Sequence, residues 1–459
     1  MQNKEKITLG ILFFLSTIYL LYQHYTDFSW DFNAYVLNAR YLFENGIYFE
    51  HYRPILMPLI LGILGEYLYI IFVSLLLLYS TIKISDALKI NKLYFYVLTL
   101  NIYVLINGFI NGTEVLSFAL LELGIAYIIT NKYSGIPFGL SFLSRYNIMS
   151  LFPLIFFHKN VKKIVINFLL LFLTILPFLI YDYYTSGNAF TSIGDSYALN
   201  VHFRENVINW NVIFIQLLAV GNILWVFFFL GIFSNFKIKT KEFWIMVFIF
   251  LVTLYGYIKT PVKDIRYLFN LTLPIVYFSY YGVKYIEEKF KIKRVLLFIF
   301  ILNLLFVFNY EINSGRENKE VYLEAVNKIN ELNLSNCQIY SNGWVMVNYL
   351  GLKSKFSPRE QLVNYYLERN ATMLFFYHIG EPDYVSKGLA PFTNPLNIAY
   401  NNSKFVILSK GCGKIENVDK TYLYELNQTL YLTANKSISV NPCDYLFKGF
   451  LRKLFLTIC

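Results

Sequence analysis

The stretch Gly135-Ile-Pro-Phe-Gly-Leu-Ser-Phe-Leu-Ser-Arg-Tyr-Asn-Ile-Met-Ser-Leu-Phe-Pro-Leu-Ile-Phe-Phe157 decides how this chain is threaded. Arg145 is its one charge, and basic residues flank it, with Lys132 before and Lys159, Lys162 and Lys163 after. Lys and Arg collect in the cytoplasmic loops of membrane proteins, so both ends read as facing the same side. A single crossing here would put the later clusters, Lys237, Lys239 and Lys241 and then Lys284 to Arg294, outside. The segment is therefore expected to pass an even number of times, as a hairpin of two short helices bent near Ser144 and Arg145. Broken helices are tolerated at membrane depth only where protein or a water-filled cavity surrounds them, which makes the bend a candidate cavity wall.

Working outward, a helix crossing roughly 30 Å of hydrocarbon needs about 20 mainly apolar residues. Runs of that kind cover Thr8 to Tyr22, Pro54 to Ile82, Leu93 to Ile110, Glu114 to Thr130, Ile164 to Tyr181, Val212 to Phe233, Phe243 to Ile258, Tyr267 to Val283 and Val295 to Tyr310. With the hairpin they give about 9–11 spans over residues 1–310. The first run resembles a signal-peptide core, but no small-residue cleavage site follows it, so it reads as a retained span. The composition agrees: 56% hydrophobic residues, 15% charged and a mean hydropathy of +0.46 suit a bilayer better than water. A net charge of +11 raises the question of nucleic acid, but the cations sit in short loops at the ends of apolar runs, which is positive-inside patterning. The N-terminus is then cytoplasmic. Residues 23–53, the turn near 107–113, the loop 182–209 and residues 259–266 face outward.

From residue 311 the character changes to mixed and polar, with strand-like runs at Gln338 to Tyr340, Met373 to Tyr377 and Lys404 to Leu408. The expected fold class is a polytopic α-helical membrane protein with a small extracytoplasmic α/β domain at residues 311–459. Cys337, Cys412, Cys443 and Cys459 all lie in this tail; an oxidising exterior permits one or two disulfides, of pairing that spacing leaves open. Asn-x-Ser/Thr triplets begin at Asn333, Asn370, Asn401, Asn427 and Asn435 in the tail and at Asn111 and Asn270 in the membrane part. An Asn-rich composition generates such triplets by chance.

The candidate chemistry faces outward. Tyr25 to Gly46 reads as an amphipathic helix in which Asp31, Tyr35, Asn38 and Leu42 share a face, while Ala34, Leu37 and Tyr41 suit a lipid interface. Asp31 stands at its start, where a carboxylate also serves as a cap. Arg53 precedes a proline-rich entry to the membrane and can either bind a phosphate bidentately or snorkel to headgroups. Glu114 opens the fourth apolar run, where the helix dipole alone favours an acid; Glu122, two turns deeper, calls for a polar cavity or a buried partner. The loop 182–209 contributes Asp182, Asp195, His202, Arg204 and Glu205 as a lid or acceptor platform. His202 reads as a surface or packing histidine, and no histidine shows metal-ligand spacing.

Four segments together resemble the GT-C glycosyltransferases, in the branch of protein O-mannosyltransferases and the lipid A aminoarabinose transferase. They are Trp30-Asp31-Phe32-Asn33-Ala34-Tyr35 followed by Arg53-Pro54-Ile55-Leu56-Met57-Pro58; Asn111-Gly-Thr-Glu114-Val-Leu-Ser-Phe; Gly139-Leu-Ser-Phe-Leu-Ser-Arg145-Tyr146; and Asp264-Ile-Arg266-Tyr267 with Pro274 beyond. Phe32 stands where the family usually has Glu. The resemblance covers residues 8–310. It implies a sugar donor carried on polyprenyl or dolichyl phosphate, an extracytoplasmic protein, glycan or lipid as acceptor, membrane lipid as surroundings, and inversion at the anomeric carbon. Departure of the phosphate needs cationic stabilisation, for which Arg145, Arg266, Arg53 and Lys263 are the candidates. The acceptor hydroxyl needs a general base, for which Asp31 is the candidate. Glu114 either positions the acceptor or shares a divalent cation with Asp31, and Tyr35, Asp182, His202 and Arg204 are acceptor or lid residues. The readings from other classes are a transporter or flippase of a lipid-linked sugar, and a noncatalytic envelope subunit. A transporter often shows paired halves with matching interrupted helices, and none is visible here.

Overall fold

The computed structural model describes residues 3–413 apart from 27, 47, 109–111, 203, 236–239, 293, 314–318, 359, 378–384 and 386–396. Asn111, Asn427, Asn435, Cys443 and Cys459 lie outside the described residues. The chain forms two compact units, one built from Met1–His24 and His51–Ser314, the other from Tyr25–Glu50 and Gly315–Thr433.

The first unit is helical. Among the described residues five helices are long and apolar enough to cross a membrane: Asn3–Thr26, Glu66–Leu88, Val161–Ser186, Lys241–Lys259 and Val295–Ile312. Trp210–Gly221 and Leu224–Ser234 are apolar enough together but are bent by 81°, as in a broken span or a re-entrant loop. The protein is thus a multi-pass membrane protein. Two further apolar runs that read as single spans are broken. Pro54 to Ile82 divides at Gly65, whose φ of +75° suits a residue without Cβ. Leu93 to Ile110 divides into Lys92–Thr99 and Ile102–Asn107, the second capped by the Asn101 side chain, which accepts from Val104 N at 3.1 Å. Helix Glu114–Ile129 is buried on every side except at Tyr127 and Ile129, packed between Glu66–Leu88 and Gly135–Ser144. Leu224–Asn235 and Thr272–Phe290 cross at Gly231 and Gly282, where a Cβ would stand 1.8 Å from the Phe278 carbonyl oxygen and 1.9 Å from that of Phe227. Small residues let membrane helices approach this closely.

The segment 135–157 does break at Arg145. Gly135–Ser144 is α-helical, Arg145 is extended (φ −154°, ψ 117°), and Tyr146–Phe157 continues as a 3-10 helix. Its two ends meet: Ser134 Oγ lies 3.0 Å from His158 Nε2, and Asn167 Nδ2 lies 3.2 Å from the same nitrogen. Asn167 Oδ1 also accepts from Gly135 N at 2.9 Å, capping the entering helix. The segment is therefore a hairpin whose two ends lie together. Burial, with Lys241 and Lys163 nearby, brings the His158 imidazole from its ordinary 6.5 down to about 4, so it sits neutral among Ser134 and Asn167 at Nε2 and Asn131 Oδ1, 3.4 Å from Nδ1.

The second unit carries a five-stranded sheet among the described residues: β1 Ile339–Ser341, β2 Ser354–Phe356, β3 Thr372–Phe376, β4 Ile398–Asn401 and β5 Phe405–Leu408, in the order β2-β1-β3-β5-β4. The first three run parallel, and β5 is antiparallel to both of its neighbours. Alternation sends Leu374, Phe376, Phe405 and Ile407 into one core with Tyr322, Ile329 and Met346, and Met373, Phe375, Val406 and Leu408 into another with Val363 and Leu367. Cys337 and Cys412 are joined by a disulfide.

Helix Trp30–Phe43 belongs to this unit rather than to a lipid surface. Every residue from Phe32 to Ala39 is buried. The helix packs on Trp344–Tyr349 through an edge-to-face contact of Trp30 with Trp344 at 5.1 Å, an Asn33 Nδ2 to Met346 Sδ contact at 3.1 Å, and a hydrogen bond from Arg40 Nη1 to Tyr349 O at 2.8 Å. Ala34 and Leu37, which read as suited to a lipid interface, are buried instead.

Candidate active site

Charged residues of the helical unit gather at the hairpin break. Because Arg145 leaves the helix in an extended conformation, its side chain reaches the start of helix Glu114–Ile129, where Arg145 Nη1 donates to Glu114 Oε1. Glu114 Oε2 accepts from Thr113 Oγ1 at 3.3 Å. The pair is deep, with side-chain exposures of 12% for Arg145 and 1% for Glu114. A buried ion pair needs its partners in close contact to offset the loss of water, and a helix N-terminus favours negative charge.

Arg266 reaches the same neighbourhood from the 3-10 helix Ile265–Leu271. Asp264 caps that helix, accepting from Arg266 N at 3.0 Å through Oδ1 and pairing with Arg266 Nε at 2.8 Å through Oδ2. The guanidinium carbons of Arg145 and Arg266 each lie 5.8 Å from the centroid of Tyr267, a geometry in which a ring face attracts cations. Tyr103 donates to Ile265 O at 2.7 Å and lies in the fields of Arg145, Glu114 and Asp264. Tyr146, next to Arg145, turns its hydroxyl to the Arg53 carbonyl at 3.5 Å, while the Arg53 guanidinium rests over Tyr52 at 5.7 Å. A guanidinium has five N–H donors, so an arginine bound to one carboxylate still has donors for a second oxyanion.

The other sequence candidates are placed as follows. Lys263 Nζ bonds the carbonyls of Tyr257 at 3.1 Å and Ile258 at 2.8 Å, closing the C-terminus of helix Lys241–Lys259; desolvation lowers its pKa from the usual lysine range. Asp182 is buried, with Oδ1 accepting from Ser192 Oγ at 2.6 Å and Oδ2 from Ser192 N at 2.8 Å. It thereby holds the first turn of the loop helix Thr191–Tyr197. His202 ends a π-turn and is exposed, and Arg204 Nε bonds Leu199 O at 3.0 Å. Asp31 and Tyr35 lie on the Trp30–Phe43 helix of the sheet unit; Ser29, not Asp31, is its N-cap, accepting from Phe32 N. Glu122 has the buried partners its depth calls for, accepting from Ser80 Oγ at 2.6 Å and Thr81 Oγ1 at 3.2 Å. Among the described residues no group of three or more His, Cys, Asp or Glu gathers as a metal site, and Glu114 is already neutralised by Arg145.

One pair had no sequence signal. His51 Nε2 lies 2.6 Å from Asp195 Oδ2, so the loop helix is held at one end by Asp182 and at the other by a residue just before Arg53. The partners are 144 residues apart, and nothing local in either segment announces the contact.

No family model and no curated protein matches this sequence. The fold does match a solved one. It is similar to the crystal structure of ArnT from Cupriavidus metallidurans bound to undecaprenyl phosphate, with a TM-score of 0.63 over 89% of this chain and 98% of that chain, at 8% sequence identity. The architecture is therefore ArnT-like, a multi-pass helical bundle with a small C-terminal sheet domain.

Proposed function

We propose that this protein is a membrane glycosyltransferase that moves a sugar from a polyprenyl-phosphate donor to an extracytoplasmic protein, glycan or lipid acceptor. The observation that carries the reading is the pair of guanidiniums, Arg145 and Arg266, brought to one tyrosine ring at a hairpin break. The likeness to a fold whose ArnT structure holds undecaprenyl phosphate supports it.

In this reading the bond between the anomeric carbon and the donor phosphate oxygen breaks, and the departing phosphate takes the electron pair. Arg145 and Arg266, with Arg53, meet the charge that develops there. The acceptor oxygen attacks the opposite face of the anomeric carbon, which inverts it, and Asp31 takes the hydroxyl proton as general base. Lys263 contributes positive field from the helix end it closes. Because Arg145 neutralises Glu114, the scheme routes no step through a divalent cation. Asp182 and His51 fasten the loop that carries His202 and Arg204, the segment best suited to an acceptor platform. The orientation, with the N-terminus cytoplasmic and the sheet unit outside, follows from the lysine clusters.

The test is incubation of the purified protein with a polyprenyl-phosphate hexose and acceptors of each class, wild type beside Asp31→Asn. Loss of a general base lowers transfer by about 10²–10⁴-fold. Equal transfer by both proteins would remove Asp31 from the mechanism, and movement of labelled lipid between leaflets without covalent change would favour a flippase.

A further inference from the structure

Seven Asn-x-Ser/Thr triplets look alike in the sequence, and the structure separates the four whose asparagines are among the described residues. Asn270 is 8% exposed and Thr272 1% exposed inside the helical unit, so that triplet is closed. In the sheet unit Asn333, Asn370 and Asn401 are all exposed. Asn333 lies in the turn after helix Lys319–Glu331 with φ +57°, and its hydroxyl partner Ser335 is half-buried. Asn401 ends β4, and its partner Ser403 is exposed. The Asn401 carboxamide oxygen accepts from the Tyr377 hydroxyl at 3.0 Å, so that bond engages Oδ1 and not Nδ2 of an exposed residue. The next residue does the reverse: Asn402 Nδ2 is spent on Glu324 Oε1 at 3.0 Å. Asn370 differs again. Its partner Thr372 is fully buried as the first residue of β3, and its own side chain is packed near the Gly411 backbone, where an added Cβ would meet Asn370 Oδ1 at 3.0 Å.

An N-glycan acceptor needs both an open amide nitrogen and a reachable hydroxyl two residues on. We propose that Asn333 and Asn401 are N-glycan acceptor sites on the folded sheet unit, and that Asn370 is not. The co-substrate is an oligosaccharide on a lipid pyrophosphate, delivered by a separate oligosaccharyltransferase. Asn Nδ2 bonds to the anomeric carbon, the bond from that carbon to the pyrophosphate oxygen breaks, the lipid pyrophosphate leaves with the electron pair, and the proton lost by the amide passes to a carboxylate of the oligosaccharyltransferase. The inference rests on the orientation expected from the lysine clusters and not on the glycosyltransferase reading, so it can fail while that reading stands.

The full chain is expressed in cultured animal cells, whose secretory membranes supply this co-substrate, and the membrane-inserted protein is digested with an amidase that converts each glycan-bearing Asn to Asp. Mass spectrometry then locates the converted positions, with Asn333→Gln, Asn370→Gln and Asn401→Gln as controls for the mass of the intact chain. The expected result is conversion at Asn333 and Asn401 exceeding that at Asn370 at least several-fold, with a mass step lost in the first and third variants. Absence of conversion at either Asn333 or Asn401, or equal conversion at Asn370, overturns the proposal.

Discussion

Replacing Arg145 by Gln removes the only cation bonded to Glu114 in the described structure, while the acid keeps its place at 1% side-chain exposure. Breaking a buried ion pair from one side costs about 3–5 kcal/mol, because the remaining charge stays desolvated. Glu114→Gln should cost less, since the guanidinium it abandons is more exposed, at 12%, and retains Tyr267 beneath it. In the double variant two neutral amides occupy the space and can bond each other, so the loss should fall to about 1 kcal/mol, the order of one hydrogen bond. Equilibrium unfolding in mixed micelles, run on all four proteins, yields the coupling energy. Additivity of the two single changes to within about 0.5 kcal/mol would refute a buried, mutually dependent pair. Transfer activity adds an independent readout. If Arg145 meets a departing phosphate, the double variant recovers stability and remains inactive. If it transfers as well as wild type, Arg145 serves Glu114 alone and its part in the chemistry falls.

Cys337→Ser opens a loop spanning 75 residues, for which chain entropy gives about 4 kcal/mol; limited proteolysis should then cut the sheet unit while the helical unit survives. Gly282→Ala sets a methyl 1.9 Å from the Phe227 carbonyl oxygen, an overpacking of about 1–3 kcal/mol or more that should appear as a lowered Tm in detergent, with Gly256→Ala, which meets nothing within 4 Å, as the silent control. His158 has a folded pKa of about 4, depressed from 6.5. Its neutral form therefore contributes stability above pH 6.5, and that contribution declines as pH falls from 6.5 towards 4, because the unfolded chain takes up the proton first. His158→Gln should flatten this part of the Tm-against-pH curve, and an unchanged slope would remove His158 as its cause.

What could be read in advance follows from how local each signal is. The hairpin break was legible because one arginine interrupts an apolar run that has lysines at both ends. The strands β1, β3 and β5 were legible as apolar runs, whereas β2, Ser-Lys-Phe, and β4, Ile-Ala-Tyr-Asn, are short and mixed and acquire strand form only from their neighbours in the sheet. Gly65 and Asn101 break apolar runs by backbone conformation and capping, which hydropathy does not register. The Trp30–Phe43 helix was legible as a helix but not as a buried one, since its cover comes from residues near 346. Of the candidate site, Glu114, Arg145 and Arg266 could be named from short motifs. Their meeting at Tyr267, and the fastening of the loop by His51 and Asp195, depend on tertiary placement that no short window contains.

The sheet unit begins with the helix Trp30–Phe43 and is completed by strands made long after it. Asn33 and Met346, which touch in the finished unit, are 313 residues apart. At about 5–20 residues per second, a ribosome needs roughly 15–60 seconds to bring the second after the first. For that interval the apolar faces of Trp30–Phe43 have no sheet to cover them, and the residue proposed as the base has no finished scaffold. A chain truncated after the last membrane helix would insert its bundle and still strand this early segment. If the proposed function holds, such a product lacks the scaffold of its base, and transfer begins only once the closing strands are in place.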